Sequence, residues 1–478
     1  MKFRDLLAWG AIASGLCLVS GGAWAAPSPC QSSLDYLDAQ YAKHQELRDA
    51  FQATYDGLQP LPPGYKYNGS TENPWKVTKG NGAKLKDAVK TFYQKVCTLL
   101  PQINGTNDNA LDSIQYFAWL YNHNDAGVAL VKGNGPGNGP LNGMKNFLIA
   151  FNKEYKAYMD SQSSTGEVPE WVNDPRLEIE DYVLTAPSAY KSWNQFFARN
   201  LKFDPKTGTY PSRPVTMPKR KYVIVSPTDC IMNPLVQPVQ LKTGKVVRTL
   251  IENPLQLDTV LDVKGIPMSI DSLLANAPEH LKAHFKDATG VACVLMPNTY
   301  HHFHSPVDGA ILYHEIVEAG DPYAHGTFGY SDWPNWVPSD GNVGRPGTDF
   351  SQFQGFTRGV IIMEVTYPNL PKKQRLSSNY SNTLKGYVAS IPVGLDTVGS
   401  VVFNKKNVKN GAMVKKGVTE FGNFYFGGSL NILLFSPIVG PDNATMVSPA
   451  VQTRMGNQIG ILNTPYSAPD TPWTPDRP

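Results

Sequence analysis

The hydrophobic pattern of this 478-residue chain changes its period near residue 200, and this change limits the folds open to it. On the N-terminal side, apolar residues recur every three or four positions, as one face of an α-helix requires. Four segments show this pattern: residues 34–55, 85–100, 114–121 and 144–159. From about Tyr222 the apolar residues form short runs bounded by Gly, Pro and Asn, which indicate strands. These runs are residues 222–225, 291–296, 359–365 and 432–435, with one amphipathic helix predicted at 270–285. The pattern therefore predicts an α+β protein, with a helical N-terminal domain followed by a β-rich domain.

The first 25 residues have the three parts of a secretory signal. Lys2 and Arg4 come first, an apolar run over residues 6–19 follows, and an Ala-Trp-Ala sequence ends at Ala25. An uncleaved membrane anchor is the alternative, but glycines and serines interrupt the run, which is shorter than the roughly 20 residues of a spanning helix. We therefore expect an exported protein, periplasmic or secreted, that is cut after Ala25. The predicted divisions are a signal at 1–25, a helical domain at 26–185, a β-rich domain at 186–463 and a proline-rich tail at 464–478.

The net charge gives no indication of a nucleic-acid partner. The chain has 43 basic and 40 acidic residues, a net charge of +3. Two basic residues, Lys2 and Arg4, and one acidic residue, Asp5, leave with the signal, so the charge of the remainder is +2. Proteins that bind nucleic acid through its phosphates need a concentrated positive charge, which is absent from this sequence.

Four cysteines remain once Cys17 is removed with the signal, an even number in a compartment that permits disulfides. Cys30 and Cys97 both belong to the helical part, which favours a disulfide between them. Cys230 and Cys293 both belong to strand-like segments, and the sequence leaves open whether they are bonded or are buried thiols. No pair has the close spacing of zinc ligands, so a metal site built from these cysteines is not expected.

A Gly-Gly-Ser sequence ends at Ser429, directly before an apolar run. No side chain shields the carbonyl of Gly428, so the hydroxyl of its neighbour Ser429 can attack it. A serine hydroxyl becomes a good nucleophile when a base takes its proton. Histidines for this purpose occur in the segment YHHFH at 300–304, and an acid occurs in SPTD at 226–229. The combination suggests a chain that cuts itself.

These three segments resemble the phosphatidylserine decarboxylase family. The resemblance lies in Gly428-Ser429, in the pattern YHxFHxPxxG that begins at Tyr300, and in the pattern SPxD that ends at Asp229. Further segments agree in the order of the family: FFxRxLK at 196–202 with Arg213-Pro214, 263–265 through 273–274, and 393–400. The likeness covers roughly residues 190–436, and five motifs in order are far more specific than any one of them.

The resemblance implies a self-made cofactor. Ser429 attacks the carbonyl of Gly428, and the resulting ester eliminates and then hydrolyses to a pyruvoyl group. A long chain ending at Gly428 and a short chain beginning with the pyruvoyl group result, and the new carbonyl accepts electrons when the substrate loses carbon dioxide. The resemblance also implies that His304 is the base for cleavage, with Asp229 orienting it, and that His301 donates or relays a proton during decarboxylation.

Two departures from the family pattern leave the substrate open. Leu430 follows the serine and Cys230 follows the acid, where the family usually has threonine and glycine. The helical N-terminal domain also resembles the added domain of family members that decarboxylate aromatic amino acids. The expected substrate is therefore phosphatidylserine, which most of the family uses, or a free amino acid such as tryptophan. The expected partners are this phospholipid or amino acid, the two cleaved chains, a membrane surface contacted peripherally and a second copy in a homodimer.

Other interpretations of the same residues remain. A serine hydrolase could use Ser429, His304 and Asp229 on an external ester or peptide, although the GxSxG elbow is missing. A metal site from His301, His302 and His304 would need a further carboxylate or cysteine ligand. An exported binding protein could keep the fold without the chemistry. Taken singly, Ser429, Asp229 and His304 are each typical of a turn or of the end of a strand.

Overall fold

The computed structural model of the chain describes residues 28–61, 67, 69–76, 79–101, 116–117, 119–121, 124–133, 139–240, 246–250, 255–263, 266–296, 298–317, 358–368, 383–394, 401–425, 429–437, 445–446 and 451–462. The predicted signal and the proline-rich tail lie outside these ranges, as do residues 114, 115 and 118 of the helix predicted at 114–121. None of the described helices combines the length and the apolar character needed to cross a membrane.

The N-terminal part is helical and has its own apolar core. Its helices are α1 Gln31–Lys43, α2 Gln45–Asp56, α3 Gly82–Val96, α4 Asp125–Lys132, α5 Gly143–Met159, α6 Val168–Val172 and α7 Trp193–Phe197. The single helix predicted at 34–55 is two helices, because the backbone of His44 is extended between α1 and α2. A disulfide joins Cys30, directly before α1, to Cys97, directly after α3.

The C-terminal part is built mainly from strands, and every strand pairing in it is antiparallel. The strands are β1 Val223–Val225, β2 Cys230–Pro234, β3 Val236–Gln240, β4 Val246–Leu250, β5 Val260–Val263, β6 Ile266–Ser269, β7 Thr289–Leu295, β8 His302–His304, β9 Gly309–Val317, β10 Arg358–Pro368, β11 Thr383–Val393, β12 Val401–Phe403, β13 Met413–Val414, β14 Glu420–Phe424, β15 Ser429–Phe435, β16 Thr445–Met446, β17 Val451–Thr453 and β18 Gln458–Ile461. The four strands predicted from apolar runs are β1, β7, β10 and β15. The α+β prediction is therefore confirmed.

One large sheet organises this part. It has eight strands in the order β13-β9-β10-β11-β15-β7-β2-β17, so β15 is central. A smaller sheet has the order β12-β14-β8, and a third has the order β1-β18-β16. The remaining strands form two hairpins, β3-β4 and β5-β6.

Both faces of the large sheet are covered, which explains why all seven residues of β15 are buried. Successive side chains of a strand point to opposite faces. Leu430, Ile432 and Leu434 pack into one core with residues of the 270–285 segment. Leu433 and Phe435 pack into a second core on the other face, which contains apolar residues of β8 and β14. The large sheet therefore separates the 270–285 segment from the small sheet that carries the histidines.

The prediction of one continuous helix at 270–285 is wrong. The segment contains α8 Ile270–Leu273, α9 Glu279–Lys282 and a 3-10 turn at Ala283–Phe285. Ala275 has a positive φ of 52°, and Pro278 directly precedes α9. A left-handed residue interrupts a helix, and proline has no backbone N–H for the helical ladder. The apolar period survives because both short helices place their apolar side chains on the same core.

Candidate active site

Three neighbouring strands, β15, β7 and β2, have their ends at the same end of the large sheet. Ser429, the first residue of β15, is opposite Leu295, the last residue of β7. The register of β7 with β2, which pairs Val294 with Ile231, places Cys230 opposite Leu295 when it is continued by one residue. Two strand spacings put the Cα atoms of Ser429 and Cys230 about 10 Å apart. Asp229 precedes Cys230, so the predicted nucleophile and the predicted acid lie at the same end of the large sheet.

Ser429 faces the side of the sheet on which the histidines lie. Its side chain has the parity of Leu433 and Phe435, which pack with Phe303 and Phe424 of the small sheet. The side chain is buried, with 3% of its surface exposed. A buried serine suits a reaction from which water must be kept out during ester formation. Gly428, the other residue of the predicted cleavage site, lies outside the described residues.

His301 and Ser429 are each a few residues from the same hydrogen bond. His301 directly precedes β8, six residues after Leu295 ends β7, and Ser429 begins β15, five residues after Phe424 ends β14. The backbone N–H of Phe424 donates to the carbonyl of His301 at 2.9 Å. His301 and Ser429 are thus at most five residues from this shared hydrogen bond.

The acid segment and the histidine segment also contact each other directly. The backbone N–H of His304 donates to the carbonyl of Pro227 at 2.8 Å, and the hydroxyl of Thr228 donates to the carbonyl of Tyr300 at 3.0 Å. The structure therefore places the predicted residues at the same end of the two packed sheets. These residues are Asp229, His301, His304 and Ser429.

His304 is fully buried and is held in a defined tautomer. Its Nδ1 atom lies 3.3 Å from the carbonyl oxygen of Val418, and its Nε2 atom lies 2.9 Å from the hydroxyl of Tyr300. A carbonyl only accepts, so Nδ1 carries the proton and Nε2 accepts from Tyr300. Burial lowers the pKa of His304 to about 4, although the charge of Glu420 acts in the opposite direction. His304 is therefore a neutral imidazole, and the lone pair that can take a proton is that of Nε2, which accepts a hydrogen bond from Tyr300.

Tyr300 keeps its proton in this arrangement. Burial raises the pKa of its hydroxyl well above the usual value, and the nearby acid Glu420 adds to the effect. Its ring stacks on that of His302, with 5.0 Å between centroids and an interplanar angle of 4°. No catalytic role was predicted for Tyr300. Its position at the start of the histidine segment is the one signal for its contact with His304.

His301 occupies a separate and drier position. It is buried, its ring lies 3.8 Å from the ring of Phe197, and its Nδ1 atom has no hydrogen-bond partner in the described part of the chain. Burial holds the pKa of His301 well below its usual value, and the positive charge of Arg199 adds to the effect. The imidazole is therefore neutral, as a group that relays a proton requires.

The spacing of His301 and His304 is odd, so in a flat strand their side chains would point to opposite faces, and the chain must bend or bulge for both to reach one site. In the structure, β8 begins after His301, which lies outside the strand. A register shift also occurs on the partner strand, where Glu420 pairs with His304 and Gly422 pairs with Phe303. The irregularity is thus shared between the two strands.

His302 separates the two catalytic candidates and uses its ring nitrogens in protein contacts. Its Nε2 atom donates to the carbonyl of Ala198 at 2.9 Å, and its Nδ1 atom lies 3.2 Å from a carboxylate oxygen of Glu420. Burial opposes the ionisation of Glu420, but His302 and His304 outweigh it and lower the pKa of this carboxyl. Among the described side chains, no cluster of three or more His, Cys, Asp or Glu could hold a metal ion.

Asp229 is the centre of a buried ionic network. Its carboxylate accepts from Nε and Nη2 of Arg213, at 2.7 to 3.0 Å, and from the backbone N–H of Met455 at 2.9 Å. Arg213 also donates to Asp181 at 2.7 Å. Within the described residues no hydrogen bond joins Asp229 to His304, so the orienting role of Asp229 stays a prediction.

Sequence reasoning missed the two partners that set the charges of the site, Arg213 and Glu420. Arg213 was noted only as part of an Arg-Pro pair that resembles the family. Glu420 gives one signal, a carboxylate at the head of the otherwise uncharged strand β14. Cys230 and Cys293, left open by the sequence, are free buried thiols in the structure.

Comparison with known proteins agrees with this geometry. The family profile for phosphatidylserine decarboxylase matches residues 193–461, more than half of the chain, and the match includes all four catalytic candidates. It begins at the first residue of α7, so most of the helical part lies outside it.

Individual relatives are similar over the same region. The decarboxylase iboD of Amanita muscaria is 28% identical over 274 residues, which cover 56% of this chain and 66% of the relative. The phosphatidylserine decarboxylase proenzyme 2 of Komagataella phaffii is 26% identical over 277 residues, covering 58% and 21%. The phosphatidylserine decarboxylase proenzyme of Clostridium novyi is 26% identical over 315 residues, covering 65% and 84%. The chain thus spans less than two thirds of the first two relatives.

Enzymes of this family are carboxy-lyases that depend on a pyruvoyl group derived from a serine. A buried serine at the start of a strand, on the face of the sheet toward two neutral histidines, fits that requirement. From its profile match and the arrangement of these residues, the chain belongs to the phosphatidylserine decarboxylase family.

Proposed function

We propose that the chain is made as a proenzyme, cuts itself between Gly428 and Ser429, and then decarboxylates phosphatidylserine to phosphatidylethanolamine and carbon dioxide. The observation that carries the proposal is the position of Ser429. It is buried at the start of β15, on the face toward the histidines, and lies inside the region that the family profile matches.

The cleavage chemistry follows from the neutral state of His304. The hydroxyl of Ser429 adds to the carbonyl of Gly428, and its proton reaches Nε2 of His304 through the hydroxyl of Tyr300, which takes up the serine proton as it gives its own to the ring. The peptide bond is thereby replaced by an ester, and the former amide nitrogen becomes the amine of residue 429. Loss of the Cα proton expels the Gly428 carboxylate and leaves a dehydroalanine, which water hydrolyses to a pyruvoyl group and ammonia. Tyr300 supports this role, because its hydroxyl fixes the direction of the lone pair of His304.

In the second reaction the chain supplies a dry site and a proton relay. The pyruvoyl group provides the carbonyl that accepts electrons as carbon dioxide leaves. His301 is the proposed relay, because its pKa is held low by burial and by Arg199 and its Nδ1 atom makes no hydrogen bond within the described residues. A relay of this kind takes a proton and returns it without storing charge in an apolar site.

A free amino acid is the second candidate substrate. One of the similar proteins is named a decarboxylase with no lipid in its name, and the helical residues before Trp193 lie outside the family match. These two observations favour a function that differs from that of the lipid enzymes. A serine hydrolase has no comparable support, since family membership accounts for the same serine, histidine and acid.

Export is part of the proposal. It is supported by the signal-like first 25 residues and by the Cys30–Cys97 disulfide, a bond that persists in oxidising compartments. Action on a phospholipid would further require peripheral contact with a membrane surface. A homodimer stays a prediction from the family resemblance.

The test is Ser429→Ala, with Ser436→Ala as the matched control. Ser436 follows the same strand and its hydroxyl accepts the backbone N–H of Tyr387, away from the proposed chemistry. Mass spectrometry of each purified protein reports cleavage, and released carbon dioxide is measured with phosphatidylserine vesicles and with tryptophan. We expect two chains and a hydride-reducible carbonyl in the wild type and control, and one inert chain in Ser429→Ala. An uncut wild type, or two chains from Ser429→Ala, would refute the proposal, while activity on tryptophan alone would select the second substrate.

A further inference from the structure

Three consecutive residues at the end of α7 each contact a different part of the histidine segment. These residues, Phe197, Ala198 and Arg199, are here named the clamp segment. They belong to the first residues of the family match, about 100 positions before the histidines they contact. None of them is part of the acid, histidine or serine motifs.

The clamp segment contacts both the histidines and the turn before them. The ring of Phe197 lies 3.8 Å from that of His301, and the carbonyl of Ala198 accepts from His302. The Nη2 atom of Arg199 donates to the carbonyl of Asn298 at 2.6 Å and to that of Thr299 at 2.9 Å. The chain that leads into the histidines is therefore contacted at positions 298, 299, 301 and 302.

Arg199 is an unusual residue for a purely structural role. It is 2% exposed, and no carboxylate pairs with it in the part of the chain that the structure describes. Its guanidinium lies over the rings of Tyr182 and Phe196, at 4.5 and 5.3 Å, and its Nε and Nη1 atoms have no hydrogen-bond partner there. A buried charge without a partner of opposite sign lowers stability relative to an apolar residue of similar size.

The charge of Arg199 has one consequence at the site. It acts on His301, together with His302, against protonation of the ring, while the backbone of Thr299 acts in the opposite direction. Burial is the largest contribution, and Phe197 supplies part of it by covering the ring. The clamp segment thus affects both where His301 lies and which protonation state it has.

We propose that Arg199 and Phe197 are positioning residues that hold the His301 ring in the orientation required for decarboxylation. The inference rests on the proposed function, because it concerns the second reaction of the same site. It assigns a catalytic purpose to the FFxR motif, which sequence analysis could treat only as a mark of resemblance.

The kinetic test compares Arg199→Gln, Arg199→Lys and Phe197→Leu with the control Arg176→Gln. Arg176 pairs with Asp174 at the surface. The kcat, expressed per mole of pyruvoyl group so that uncut protein does not count, and the KM are measured with whichever substrate the wild type uses. We expect Arg199→Gln to lower kcat about tenfold or more with KM within twofold, since small displacements of a catalytic group have effects of this size. Arg199→Lys should recover part of the loss, because it keeps the charge, and Phe197→Leu should lower kcat less than Arg199→Gln.

Two kinetic results would overturn the inference. One is a kcat within twofold of wild type in Arg199→Gln. The other is a raised KM with an unchanged kcat, which would make Arg199 a binding residue for an anionic group of the substrate.

A second measurement does not depend on activity. In ¹⁵N-histidine NMR spectra, with His301 assigned from a His301→Gln variant, we expect the His301 ring to take up a proton at a higher pH in Arg199→Gln than in wild type. Unchanged His301 titration would overturn the inference even if no substrate were turned over. If the wild type releases no carbon dioxide from either substrate, the proposed function fails, while the spectra still decide whether Arg199 controls His301. Should Arg199→Gln fail to fold, Phe197→Leu supplies the comparison in both measurements, since uncovering the ring should also raise the pH at which His301 takes up a proton.

Discussion

The acid and the histidines at one end of the large sheet are held in opposite ways. Both oxygens of Asp229 are bonded, to Arg213 and to the backbone of Met455, so this carboxylate ties together three distant segments. His301 and His304 instead lie among aromatic rings, and burial lowers the pKa of each. The difference indicates a division of tasks. The ionic network fixes the architecture, whereas the reactivity of the histidines is set by the removal of water and by a few single contacts.

The largest effect is expected from removing the base. His304→Gln should slow self-cleavage by a factor of about 100 or more, which is the usual contribution of a general base. The fraction of cut chain after synthesis, followed over time by gel electrophoresis, measures this rate. His284→Gln is the matched control, because His284 stacks on Tyr387 away from the site. Cleavage of His304→Gln at the wild-type rate would end the contrast between reactive histidines and a structural acid.

The next prediction concerns the free energy of unfolding, which we expect Asp229→Asn to lower. Asp229→Asn leaves Arg213 buried with weaker partners, and breaking a buried ion pair in this way costs about 3 kcal/mol. Urea unfolding of the variant in the uncut Ser429→Ala background measures the loss. Arg213→Met and the double variant complete a cycle, in which the double variant should lose no more than Asp229→Asn alone. A normal stability combined with lost cleavage in Asp229→Asn would show that the acid serves chemistry and not architecture.

The smallest effect is a pH dependence of stability caused by His304. Its pKa is about 4 in the folded chain, against 6.5 for an ordinary histidine, so the unfolded chain binds a proton first as the pH falls. The neutral state contributes full stability above pH 6.5, and this contribution is lost as the pH falls from 6.5 toward 4. At pH 5.5 the loss from His304 is about 1 kcal/mol.

The measurement compares urea unfolding at pH 7 and pH 5.5 for Ser429→Ala with and without His304→Gln, so that both proteins are uncut. The loss on acidification should be smaller by about 1 kcal/mol in the variant that lacks His304. Equal losses would mean that His304 is as easily protonated as an exposed histidine, and would contradict its role as a buried neutral base.

Sequence patterns were sufficient for the fold class. Short apolar runs located β7 and β15, and the resemblance selected residues that the fold brings to one end of the large sheet. The break in the 270–285 segment was not predicted, because its apolar period continues through Ala275 and Pro278. The contacts of Glu420 and Arg199 were not predictable either, since they depend on which segments become neighbours. Each of these side chains contacts residues 99 or more positions away, and local sequence does not contain that information.

The central place of β15 has a consequence for the mature protein. Cleavage before Ser429 would leave a short fragment that begins with β15, which is hydrogen-bonded to β11 on one side and to β7 on the other. The same fragment contains β17, which pairs with β2, and β18, which pairs with β1. The two products of one cut therefore remain a single folding unit, and pulling them apart would require melting the middle of the sheet.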